Sequence, residues 1–215
     1  ERKSLMIGGE AFRVRHGIAK DRPLLVLLPG SRASEIRFIL PVFRRAVALL
    51  AARLEALVTV LPTVAHVTRE VRAGAQGWPT PLHILEGESD KFAAFDAADV
   101  ALAASGTVTT ELSLARTPMV VAYRVGGLTY ALAHRLMTAP YMTLINILLE
   151  RRAVPEFKQY AATPERLAGE VEKLFRDPAL CARQRSAMDE FALALGEGEE
   201  SPSLRAARIL LDFVT

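Results

Sequence analysis

Two short stretches carry the residue types that could hold an anion. Pro29-Gly30-Ser31-Arg32 ends one apolar run, and Ala104-Ser105-Gly106-Thr107 ends another before continuing to Glu111. A glycine turn that leads into a helix offers unpaired backbone N–H groups and the positive end of the helix dipole. Arg32 can add a bidentate clamp on phosphate. Ser31, Ser105 and Thr107 add hydroxyls. Glu111, more than one turn into the second helix, could accept two hydrogen bonds from a ribose diol while the turns hold a diphosphate. An ordinary surface acid near a positive helix end accounts for Glu111 at least as well. Either glycine turn alone could simply be a tight connection. Neither turn supplies the Gly-x-Gly-x-x-Gly or Gly-x-x-x-x-Gly-Lys-Ser/Thr pattern, which disfavours nicotinamide, flavin and the usual ATPase chemistry.

The elements around the turns decide whether they meet. Apolar runs at Leu24–Leu28, 57–61, 82–85, 100–103, Met119–Tyr123 and 142–145 read as six strands. Helical patterns alternate with them at 34–50, 65–73, 89–97, 106–115 and 128–137. Pro41 is expected to break or kink the first helix, Pro62 to close the second strand and Ser89 to cap the helix at 89–97. This alternation predicts an α/β fold, a Rossmann-like doubly wound parallel sheet covered on both faces. In such a sheet strands one and four are neighbours, and the ligand crevice opens at their carboxyl ends. Both glycine turns then share one rim, which favours an anion site over two unrelated tight turns. After Tyr160 the strands stop. Thr163-Pro164, Asp177-Pro178 and Ser201-Pro202 each place a helix cap before a proline, announcing three helices. Residues 196–201 are the one linker-like stretch. The expected division is a lead-in at 1–23, a Rossmann-like domain at 24–160 and carboxyl-terminal helices at 161–215.

Composition narrows the partners. With 215 residues, 51% of them hydrophobic, the chain can bury a substantial core and does not read as disordered. A net charge of +3, with no dense Lys/Arg stripe, fits an anionic ligand or a membrane surface and argues against nucleic acid. The single Cys181 excludes an internal disulfide and a Cys-rich metal site. His16, His66, His83 and His134 lack metal-ligand spacing. No apolar run reaches the ~18 residues of a membrane span. The first residue, Glu1, suggests a piece or a processed form of a longer chain. Residues 126–154 mix apolar and aromatic residues with arginines. An interfacial membrane helix is one reading of them, and a core helix followed by the last strand is the plainer one.

The stretches "LLPGSRASEI", "DVALAASGTVTTELSLARTPMVVAYRV", "TLINILLERRAVPEFKQ" and "TPERLA" together resemble the carboxyl-terminal half of the lipid-A-disaccharide synthases. The match runs from about Leu24 to Leu167. The resemblance implies one half of a GT-B glycosyltransferase fold. It implies an inverting, metal-independent reaction with no cofactor. Diacylglucosamine passes from UDP-2,3-diacylglucosamine to 2,3-diacylglucosamine 1-phosphate in lipid A biosynthesis, and UDP leaves. In that family the acceptor and the proposed aspartate base belong to the amino-terminal half. This chain is therefore expected to hold no catalytic residue and to be inactive alone. The resemblance gives Gly30, Ser31 and Arg32 the diphosphate, with Ser105, Gly106 and Thr107 completing the cradle and Glu111 on the ribose. Asn146, Glu156 and Gln159 would face the donor sugar or ribose. From spacing alone, Asn146 is equally a turn residue, and Glu156 and Gln159 could share a helix face. The family's usual Leu-Pro-Asn-Leu-Leu reads Leu144-Ile145-Asn146-Ile147-Leu148 here, and its Pro-Glu-Phe-Leu-Gln reads Pro155-Glu156-Phe157-Lys158-Gln159. The implied location is cytoplasmic, peripheral to the inner membrane of a Gram-negative bacterium. Contact with that membrane surface and a homodimer both stay open. Two alternatives stand beside the transferase: a UDP-sugar 2-epimerase-like enzyme and a non-catalytic nucleotide-binding module.

Overall fold

The structure is a computed structural model that describes residues 8–124, 126 and 140–198. Six parallel strands form one sheet: β1 (Leu24–Leu28), β2 (Val58–Thr63), β3 (Leu82–Glu86), β4 (Val100–Ala104), β5 (Met119–Tyr123) and β6 (Glu156–Lys158). Their order is β3-β2-β1-β4-β5-β6, the doubly wound Rossmann arrangement. The register pairs Leu28 of β1 with Ala103 of β4, so the chain leaves both strands side by side at one rim.

Period-two alternation feeds two cores. Leu25, Leu27, Val100, Leu102, Val120 and Ala122 face one side of the sheet, while Leu24, Val26, Ala101, Ala103 and Val121 face the other. Continuous apolar runs are what strands buried on both faces require. On the first side lie α2 (Ala33–Ala51), α3 (Thr68–Gly74) and α7 (Pro164–Arg176). On the second lie α1 (Gly9–Arg15), α4 (Glu88–Ala97), α5 (Thr107–Ala115) and α8 (Pro178–Ala194). The helix α1, which hydrophobic patterning did not single out, buries Phe12 completely and receives an N-terminal cap from Asp96, whose carboxylate accepts the Gly9 N–H at 2.7 Å.

Several local expectations are corrected. Pro41 neither breaks nor ends α2. It sits on the exposed face, where the one backbone bond it forfeits can be made to water. Pro62 lies inside β2, past Val60, the last position paired with β1. Gly87, at φ 119°, and not Ser89, caps α4. Residues 142–145 are not a strand. Thr143 is the extended cap of a short helix, α6 (Leu144–Leu148), and the edge strand is β6, which starts after Pro155. A four-residue apolar run fits a strand or one helical turn equally, and here the Glu156 carboxylate, which accepts the Met142 and Thr143 N–H groups, holds the chain at the entry to the helix. The caps at 163 and 177 form as expected. Thr163 accepts the Arg166 N–H, and Asp177 accepts those of Ala179 and Leu180. The helices expected at 128–137 and after Ser201 lie outside the described residues.

Candidate functional site

A cleft of about 350 Å3 opens at the carboxyl ends of β1, β2 and β4. Gly30, Ser31, Arg32, Ser105, Gly106, Thr107 and Glu111 all line it, seven of the ten residues singled out by sequence. Glu35, Lys91 and Val64 also line it. A larger hollow, about 510 Å3, lies near the amino ends of β5 and β6, lined by Arg151, Arg152, Lys173 and Arg183. Volume alone would select that hollow. The switch-point argument selects the first, because there the turns after β1 and β4 converge.

The two turns are built differently. At the first, Gly30 has φ 114°, a conformation that suits glycine, and Glu35 folds back beneath it. The Glu35 carboxylate accepts the backbone N–H of Ser31 at 2.9 Å and of Arg32 at 3.2 Å, and the Arg32 Nη1 at 2.8 Å. His66 Nε2 lies 2.7 Å from the Ser31 carbonyl oxygen. At the second turn the Ser105 N–H belongs to the sheet, donating to Ala122 O at 2.9 Å. Thr109 steadies the turn: its hydroxyl donates to Gly106 O at 2.7 Å. Gly106, Thr107 and Val108 open α5, where the N–H groups have no intrahelical acceptor. Gly106 is extended, at φ 166°, with nothing within 4 Å of an added Cβ.

Across the cleft, Lys91 Nζ of α4 meets Glu111 Oε2 of α5 at 3.0 Å, both side chains about one-fifth exposed. Lys91 also stands over the Phe92 ring. The ionisable side chains lining the cleft are two cations, Arg32 and Lys91, and two carboxylates, Glu35 and Glu111. They cancel, so attraction for an anion has to come from the backbone donors of α5 and from whatever part of each cation its carboxylate leaves uncovered. Among the described residues no three His, Cys, Asp or Glu side chains converge as a metal site.

Three sequence candidates lie elsewhere. Asn146 is fully buried, and its amide spans a loop: Nδ2 donates to Val154 O and Oδ1 accepts the Val154 N–H, both at 2.9 Å. With both amide atoms committed, it does not face the cleft. Glu156 sits on β6 and accepts the N–H groups of Met142 and Thr143 at 3.0 Å. Gln159, at φ 47°, begins a single 3-10 turn (Gln159–Ala161) and lines a separate hollow with Arg37, Arg124 and Tyr160. A strand end and a 3-10 start do not present Glu156 and Gln159 on one helix face.

Sequence reasoning missed Glu35, Lys91 and His66. Glu35 had a signal, because an acid at the third helical position is the partner expected for N-terminal backbone donors. Lys91 and His66 had none. Their places depend on how α4 and the β2 carboxyl end pack beside the turns.

Comparison with known proteins bears on the family and the fold. The family model described as lipid-A-disaccharide synthetase matches residues 9–209. The lipid-A-disaccharide synthase of Rhodospirillum centenum is 45% identical over 207 residues, covering 96% of this chain and 52% of that protein. That of Paramagnetospirillum magneticum is 43% identical, covering 96% and 53%. The chain therefore spans about half the length of the curated relatives it matches. Among solved structures, Anabaena HepE in complex with UDP and glucose superposes with a TM-score of 0.56 at 18% identity, over 87% of this chain and 47% of that one. The UDP-GlcNAc 2-epimerase of Neisseria meningitidis, bound to UDP-GlcNAc, gives 0.53 at 13% identity, over 87% and 48%. A protein solved with UDP and an epimerase solved with a UDP-sugar thus share this half-fold, and it is the sequence match over nearly all of its length that places the chain in the lipid-A-disaccharide synthase family.

Proposed function

We propose that this chain is the donor-binding half of a lipid-A-disaccharide synthase, and that its cleft takes the UDP part of UDP-2,3-diacylglucosamine. One observation carries the reading: two glycine turns, one bearing Arg32 and the other opening α5, meet in one cleft at the β1/β4 switch point. The N–H groups of Gly106, Thr107 and Val108 suit a diphosphate, with Arg32 reaching it from the facing turn. Glu111 is placed for the ribose, in exchange for part of its bond to Lys91.

The chemistry follows from what leaves. A hydroxyl of 2,3-diacylglucosamine 1-phosphate attacks the anomeric carbon of the donor. The bond from that carbon to the β-phosphate oxygen breaks, and UDP departs with the electron pair. Fixed donors aimed at the β-phosphate stabilise the charge that builds there. The hydroxyl proton passes to a base supplied by the other half of the protein, in keeping with a cleft whose own carboxylates are already bonded. Asn146 and Glu156 hold the backbone between α6 and β6 and act on the donor only through that loop's shape. The reaction belongs at the cytoplasmic face of the inner membrane, where acylated sugars of this kind would reside. The acceptor enters through the other half.

Product analysis of the protein with its amino-terminal half tests the reaction. It is incubated with UDP-2,3-diacylglucosamine and 2,3-diacylglucosamine 1-phosphate. Disaccharide plus UDP is the expected outcome. An isomerised UDP-sugar without disaccharide would favour the epimerase, and binding without turnover would favour a nucleotide-binding module.

A further inference from the structure

The N–H groups of Ser31 and Arg32 are where the sequence alone would put a diphosphate, yet a carboxylate of the chain already holds them. Glu35 accepts both N–H groups through Oε2 and the Arg32 Nη1 through Oε1. The fit is close. A Cβ on Gly30 would stand 2.3 Å from the Glu35 oxygen. The Arg32 side chain is 77% exposed, while Glu35 is 24% exposed. Glu35 is the one side chain that tethers the Arg32 guanidinium among the described residues.

We propose that Glu35 is a positioning residue of the donor site. It stays bonded to the Ser31 and Arg32 N–H groups when a nucleoside diphosphate binds, and it presents the guanidinium to the phosphates. The α5 N-terminus takes the remaining phosphate oxygens. This inference rests on the reading of the cleft as a UDP-sugar site.

Three physical points favour retention over displacement. A phosphate that evicted Glu35 would replace one anion by another on the same donors and would strip the first turn of α2 of its cap. The guanidinium has five N–H donors in a rigid fork, and the carboxylate uses one nitrogen, so an edge is left for phosphate. An exposed arginine that must be frozen on binding costs rotamer freedom, and a tether made during folding removes much of that cost beforehand.

The test is calorimetric titration of the 215-residue chain with UDP and with uridine. It compares the parent chain with Glu35→Ala, Glu35→Gln, Arg32→Ala and the Glu35→Ala/Arg32→Ala double variant. Glu35→Ala should bind UDP about three- to tenfold more weakly, with uridine binding unchanged. The double variant should bind UDP no more weakly than Arg32→Ala alone, because the two residues act as one unit. Glu35→Gln keeps the shape and one acceptor for the turn but loses the charge that orients Arg32, and should fall between the parent and Glu35→Ala. A view of Glu35 as mere competing charge predicts the opposite sign. UDP binding that is unchanged or tighter in either Glu35 variant, or additive losses in the double variant, would overturn the proposal. If Glu35→Ala does not fold, Glu35→Gln decides alone by the same criterion. No UDP binding by the parent chain would overturn the reading of the cleft itself, and the positioning role with it.

Discussion

The two glycine turns look alike in sequence and do different things. At residues 30–32 the chain closes on itself: Gly30 adopts a conformation that suits glycine, and a carboxylate of the following helix fills the cradle. At residues 105–107 the turn is open: Gly106 is extended, unobstructed, and followed by uncommitted helix N–H groups. A glycine before a helix therefore has two separate uses. One buys room for an acid that organises an arginine; the other leaves the backbone bare for a ligand.

The sharpest way to break this comparison is an alanine at each glycine. Gly30→Ala forces a Cβ against Glu35 in a left-handed conformation and should destabilise the fold by roughly 2–3 kcal/mol. The readout is a lower urea midpoint at unchanged m-value. A loss under about 0.5 kcal/mol would show that the turn relaxes freely and is not set by Glu35. Next in size is Arg32→Ala. It should weaken UDP by about 1.5–3 kcal/mol, the range for a charged hydrogen bond, and leave the midpoint almost unmoved. Equal affinity in a folded variant would remove Arg32 from the phosphate site.

Acidification probes stability away from both turns. His83 is held below its ordinary value by burial and by His16, whose ring stands 5.2 Å away edge-on. Well above 6.5 the depressed group is neutral in both states and contributes nothing. Below the ordinary imidazole value of 6.5 the unfolded chain takes the proton more readily, so stability should fall as pH drops from there through the folded value. His83→Gln should flatten that slope; an unchanged slope would place the acid sensitivity elsewhere. The smallest effect is expected for Gly106→Ala, within about 0.5 kcal/mol of the parent, because its backbone is already one that alanine adopts.

Much of this was legible in the sequence because sheet order follows from βα alternation, and the switch point follows from sheet order. Gly30, Arg32, Gly106 and Glu111 could be put in one cleft without coordinates. What escaped depended on side-chain geometry or on tertiary packing. Residues 142–145 fit a strand or a helical turn, and the choice fell to Glu156, fourteen positions from Met142, whose carboxylate holds the Met142 and Thr143 N–H groups. Asn146 had a residue type suited to a sugar and a place that commits it to Val154. Lys91 faces Glu111 only because α4 and α5 pack side by side, which no spacing rule announces.

The central claim is that the switch-point cleft, and not the larger arginine-lined hollow, receives the nucleotide. Backbone amide NMR of the 23.5 kDa chain during titration with UDP tests it most directly. The account predicts saturable shifts that are largest at Gly106, Thr107 and Val108, with smaller ones at Ser31 and Arg32, whose N–H groups keep their bonds to Glu35. Shifts centred on Arg151, Arg152 and Arg183, or none at saturating UDP, would contradict it.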